Sequence, residues 1–148
     1  MDRLLSHLSK YHLWTGLVFF VVFVLTGQYM DIYLNHLFNM EAGPRMIYRS
    51  GHIYILFGSL LNILSGFTNY SLESQLKCWM TLIGSVSIML TPICFTYGFI
   101  MEAPIHSLNR EITSLGIYFA LLGCSLIMLA QRILPYLLRY RIPNNNTQ

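Results

Sequence analysis

YHLWTGLVFFVVFVLTGQYM, residues 11–30, contains no Asp, Glu, Lys or Arg. A helix of about 20 residues, rising about 1.5 Å per residue, crosses a hydrocarbon core roughly 30 Å thick, and this stretch is that long. Backbone N–H and C=O groups in lipid find no water, so a spanning segment must satisfy them internally, as a helix does. Three further stretches are equally free of charge: Ser50–Leu72, Cys78–Met101 and Ile112–Gln131. Together the four take up most of a 148-residue chain and leave no room for a soluble domain. The chain is 55% hydrophobic and 10% charged, against about a quarter charged in soluble domains. Helices on the surface of a soluble bundle carry a charged face, and these carry none. The fold expected is all-α: a four-helix transmembrane bundle of up-down topology in a single membrane domain. Its spans lie near 11–31, 50–70, 78–101 and 112–132, with a polar tail at 142–148. The first span is read as a retained helix rather than a leader, because its apolar run is long and exits through Thr26-Gly27-Gln28-Tyr29 without a small-x-small site.

An even number of spans puts both ends on one side. That side collects Arg3, Lys10, Lys77, Arg132, Arg139 and Arg141, and the other has Arg45, Arg49 and Arg110. The excess places both termini in the cytoplasm and the protein in the inner (cytoplasmic) membrane. Rings that settle at interfaces follow the same division: Tyr11, Trp14, Trp79, Tyr136 and Tyr140 on the inner side, Tyr29, Tyr33, Tyr48 and Tyr54 on the outer. Lipid is one expected partner. Others are a larger membrane complex, such as a respiratory one, or a second copy through the small-residue seam Gly116, Gly123 and Ala130. No nucleic-acid partner is expected. Cys78, Cys94 and Cys124 form no C-x-x-C pair and read as small packing residues.

Small and polar residues mark the helix-facing side of a membrane segment. They place His52, Ser59, Asn62 and Gly66 on one face of the second helix, Thr81, Ser85 and Pro92 on one face of the third, and His12, Phe19, Thr26 and Met30 on one face of the first. Pro92 removes a hydrogen bond from the third helix, and Thr91 or Thr96 is expected to satisfy the carbonyl it frees.

Two helix exits echo each other. GQYMDIYLNH (27–36) and GFIMEAPIH (98–106) both run Gly, two residues, Met, an acid, a gap, then His. HIYILFGSLL in the second helix also resembles GIYFALLGCSL in the fourth, so the chain reads as two tandem helical hairpins. Asp31 and Glu102 then end the first and third helices on the outer side. His36 and His106 follow in the loops, and His52 lies about a turn inside the second helix.

Acids, imidazoles and arginines gathered at one surface of a chain so poor in charge are its main functional signal. The first reading is b-type haem, for electron transfer or haem handling. His52 is the best axial candidate, with His106 or His36 opposite, and Arg45, Arg49 and Arg110 suit the propionates. Phe57, Phe95, Phe99 and Phe119 supply apolar walls. In shape and histidine placement this is similar to small four-helix membrane b-type cytochromes, though no motif carries residues over. The second reading is a copper, zinc or iron ion held by His36, His52, His106, Asp31 and Glu102, with Met30 and Met101 as soft neighbours. The third is a structural accessory subunit or assembly factor without cofactor. No nucleophile–base pair or phosphate-binding loop points to a reaction.

Overall fold

The computed structural model describes residues 7–68, 70, 74–104 and 109–133; the polar tail and His106 lie outside this range. The described residues are helical, with no strand among them. Four long helices follow one another: α1 (Leu8–Ile32), α2 (Ala42–Gly66), α3 (Gln75–Met101) and α4 (Glu111–Met128). A π-helical turn, Leu129–Ile133, extends α4. Helices α1, α3 and α4 with its extension are long and apolar enough to cross a membrane. The second expected span departs from its reading. Helix α2 starts at Ala42 rather than near residue 50 and ends at Gly66. It therefore takes Arg45 and Arg49 into its first turns.

Contact registers set the arrangement. Along α1, Gly16 meets Ser59 and Ile63 of α2, whereas Gly27 meets His52. Rising numbers on one helix meet falling numbers on the other, so α1 and α2 lie antiparallel. The same holds for α2 and α3 (Gly58 on Pro92, Gly51 on Phe99) and for α3 and α4 (Gly84 on Gly123, Gly98 on Thr113). Packing is closest within the α1–α2 and α3–α4 hairpins, and the α2–α3 contact joins them. The seam on α4 is used inside the chain. A Cβ at Gly123 would lie 2.6 Å from Cγ1 of Ile88 and 2.7 Å from the Gly84 carbonyl oxygen, and Ala130 is fully buried. Small residues here let two backbones approach closely.

The outward surface is apolar. Leu17, Val18, Val21, Val24 and Leu25 of α1 are exposed, as are Ile53 and Leu64 of α2 and Leu121 and Leu122 of α4. Inside, many hydroxyls bond back to carbonyls one turn earlier: Ser87 to Ile83 (2.9 Å), Thr91 to Ser87 (3.1 Å) and Thr96 to Pro92 (2.8 Å). A hydroxyl satisfied in its own helix can sit in an apolar interior at little cost. Thr91 and Thr96 are therefore engaged elsewhere, and the carbonyl freed by Pro92 is met differently from the expectation. That carbonyl belongs to Ile88, and it accepts a 3.0 Å hydrogen bond from Nδ2 of Asn62 on α2. Helix α3 continues unbroken through the proline.

The main apolar core fills the end of the bundle where α1 stops, α2 begins, α3 stops and α4 begins. It contains Leu37, Ile47, Tyr48, Ile55, Phe95, Phe99 and Ala103. Tyr48, expected at the outer interface, is instead buried and meets Phe99 edge-on at 5.7 Å between centroids. Tyr54 likewise turns inward and stacks on Phe95 at 5.3 Å. This core carries the candidate site above it.

Candidate functional site

The connection from α1 to α2 bends back through three consecutive residues in the left-handed region, Asn35, His36 and Leu37, with φ of 46°, 55° and 62°. Each such residue costs roughly 1–2 kcal/mol when it is not glycine. Leu37 is only 3% exposed and belongs to the core, and its burial offsets about 2 kcal/mol of that strain. With Leu37 plugged inward, His36 projects outward, and its Nδ1 pairs with the Asp31 carboxylate. Both side chains are more than half exposed. They line a cleft of about 410 Å³ together with Gly27, Met30, Leu37, Phe38 and Arg49.

His52, on α2, faces Thr26 and Gly27 of α1. Its Nδ1 is 3.0 Å from Oγ1 of Thr26. Thr26 donates its own hydroxyl hydrogen to the Phe23 carbonyl at 2.9 Å, so the His52 contact requires Nδ1–H to donate and Thr26 to accept. Nε2 is then the unprotonated nitrogen. The imidazole stacks on Phe23 at 4.1 Å. Its other edge faces Gly27, where a Cβ would stand 3.2 Å from Cε1 and 3.6 Å from Nε2. Gly27 also lines the cleft, so the missing side chain leaves the His52 edge next to it.

The remaining expected site residues are placed elsewhere. Glu102 is buried at the end of α3 and caps α4 from outside that helix. Its Oε1 accepts from the Ile112 N–H at 2.6 Å, and its Oε2 accepts from the Thr113 hydroxyl at 2.5 Å. The first N–H groups of a helix have no partner within it and carry partial positive charge, and the α4 cap residue Arg110 supplies no side-chain bond of its own. Arg110 bridges the hairpins instead. It donates to Oγ of Ser50 at 2.6 Å, lies 3.9 Å from Glu102 and covers the Tyr54 ring at 5.6 Å. Arg45 donates to the Met40 carbonyl at 2.7 Å and holds the loop before α2. Arg49 is the one expected arginine that borders the cleft. No group of three His, Cys, Asp or Glu side chains suited to a metal ion occurs among the described residues. The echo in sequence thus carries two different jobs: Asp31 pairs with a histidine, and Glu102 caps a helix. A second, apolar hollow of about 320 Å³ lies between Thr26, Tyr29, Tyr48, Phe99, Ile100 and Pro104.

No protein-family model, curated protein or solved structure matches this chain. The geometry therefore stands alone.

The sequence reading put His12, Asn62 and Lys77 outside any site, yet all three are fully enclosed at the opposite end of the bundle. Asn62 accepts from Nδ1 of His12 at 3.0 Å, while its two amide hydrogens go to the Gly58 and Ile88 carbonyls. Lys77, expected on the cytoplasmic side, is 1% exposed in the first turn of α3. One turn further on, Thr81 accepts from Gln131 at 3.0 Å. The available signal was the inward stripe of His12 and Asn62. Nothing in the one-dimensional pattern showed that the two meet.

Proposed function

We propose that the chain is an integral membrane protein that crosses the bilayer four times, up and down, and binds a b-type haem at the end carrying the His36–Asp31 cleft. By the charge distribution, that end faces outward, both termini face the cytoplasm, and the membrane is the cytoplasmic one. The observation that supports haem is the state of His52. Its Nδ1 proton is committed to Thr26, so Nε2 keeps a lone pair beside Gly27, which lines the cleft. Imidazoles that ligate iron are held in this way, with the second nitrogen donating to a fixed acceptor. His36 shares the cleft as a candidate for the opposite position, His106 being the other, and Arg49 suits a propionate. Haem held there would supply one-electron redox chemistry. The chain's contribution is to orient the imidazole and to keep one edge of the site apolar.

A second reading, a cofactor-free accessory subunit, is favoured by Arg110 and Glu102. Glu102 bonds the first N–H groups of α4 and Arg110 bonds Ser50 and Thr113, so the pair ties α2, α3 and α4 together, as structural residues would. A small ion at Asp31 and His36, with Met30 beside them, is the third. An absorption spectrum of the purified protein, oxidised and then reduced with dithionite, separates these. A Soret band that shifts, with sharp α and β bands lost in His52→Ala, supports haem. A featureless visible spectrum from cells supplied with haem overturns it. Metal analysis of the same sample then decides between the other two.

A further inference from the structure

Two neighbouring residues of α1 border two different spaces. Gly27 lines the cleft, whereas Thr26 lines the apolar hollow of about 320 Å³. Three helices build that hollow: Thr26 and Tyr29 come from α1, Tyr48 from α2, Phe99 and Ile100 from α3, and Pro104 follows α3. Its volume falls within the about 300–1,000 Å³ of small-molecule sites. Helices α1 and α3 touch only sparsely, so direct packing does not close the gap between them. Tyr29 is 42% exposed and Ile100 58%, so the hollow opens onto the apolar outer surface of the helices.

The lining narrows the chemistry of what can enter. No charged side chain lines the hollow among the described residues, so an ion or a phospholipid headgroup would be desolvated without an opposite charge. Tyr29, Tyr48 and Phe99 give it three aromatic walls, which favour a flat ring packed offset or edge-on. Its polar side-chain atoms are hydroxyl oxygens. Thr26 gives its hydrogen to the Phe23 carbonyl, which leaves the Tyr29 and Tyr48 phenols as the O–H donors of the lining. A matching ligand is neutral, soluble in lipid and flat, and carries oxygen acceptors on its ring. We propose that the hollow binds the head of a lipid-soluble quinone. Its carbonyl oxygens accept from the Tyr29 and Tyr48 hydroxyls, and its tail leaves past Ile100 between α1 and α3. A fatty acyl chain would meet the apolar walls but use neither phenol. Phenols also accept hydrogen bonds, so the hydroquinone form fits the same pair. Binding rests on the chain lying in a membrane and does not require haem.

The test uses the full chain in phosphatidylcholine nanodiscs and an azido-substituted benzoquinone with a decyl tail, crosslinked by light. Peptide mass spectrometry then locates the adducts. Adducts at Tyr29, Tyr48, Phe99 or Ile100 are expected, lost when unlabelled decyl-benzoquinone is added and kept when oleate is added at the same concentration. Tyr29→Phe and Tyr48→Phe each keep the ring and remove one hydroxyl. Each is expected to weaken competition by the unlabelled quinone about two- to tenfold, as the loss of one hydrogen bond does. Tyr29 is half-exposed, so its variant reports even if Tyr48→Phe fails to fold. Adducts confined to other residues overturn the site. Adducts that oleate removes as well as the quinone does make it an acyl-chain site and overturn the proposal. Undiminished competition in every variant that folds overturns it too, because the phenols would then take no part.

Discussion

Thr26 gives the His52 imidazole a fixed tautomer and direction. By accepting the Nδ1 proton while donating its own to Phe23, it holds one tautomer. On the haem reading, Thr26→Val is expected to lower haem retention several-fold while Thr26→Ser keeps it, scored by the reduced α-band per protein. Asn62 shows the same logic turned to stability. Asn62→Leu would strand the Ile88 carbonyl and the His12 Nδ1–H together, both in a buried layer. A loss of about 2–4 kcal/mol is expected, measured by unfolding in mixed detergent micelles. Asn35 offers the opposite sign. Its φ of 46° is left-handed, so Asn35→Gly should relieve strain and stabilise by up to about 1 kcal/mol, with the Asp31–His36 cleft unchanged.

Among the elements, α3 and α4 depend on absent side chains and on a borrowed cap. Gly123→Leu would drive a side chain into Ile88 and the Gly84 carbonyl, which already approach to 2.6 and 2.7 Å of a hypothetical Cβ. Such overpacking costs about 1–3 kcal/mol and should widen the hairpin, read by cross-linking between cysteines placed on α3 and α4. Glu102→Gln keeps the shape of the cap but removes its charge, and a loss of about 1–2 kcal/mol is expected from the same unfolding measurement. The helices themselves were legible in the sequence, because charge-free runs long enough to span have few other uses. The inward stripes were legible too, as were the small residues of α4. The start of α2 was not, because Arg45 and Arg49 look like loop residues until their partners are known. The candidate site was legible only in part. His36 and Asp31 sit close in sequence, and His52 announced itself by facing inward. Glu102 resembled Asp31 by its letters alone, and its true neighbours, Ile112 and Thr113, lie across a loop that pattern reading does not fold.

For the whole molecule, the proposed four-crossing arrangement predicts labelling from opposite faces. In a background without native cysteines, Asn39→Cys should react only with reagent outside the cell and Thr68→Cys only after the membrane is opened. Labelling of both from one side would mean that α2 does not cross, which its weaker apolar character leaves as the thing to test. The bond from Asn62 to Ile88 also bears on how such a chain is made and how it can change. Synthesis runs from the N-terminus, so the amide is in place before the proline that needs it arrives. A ribosome halted between them would leave a hairpin ready to receive α3. Over longer spans of time the two positions constrain each other. Replacing Pro92 by a residue with an N–H returns the Ile88 carbonyl to its own helix and leaves Asn62 answering only to His12 across the bundle. In sequences descended from a common ancestor with this one, loss of the asparagine should follow loss of the proline and not precede it.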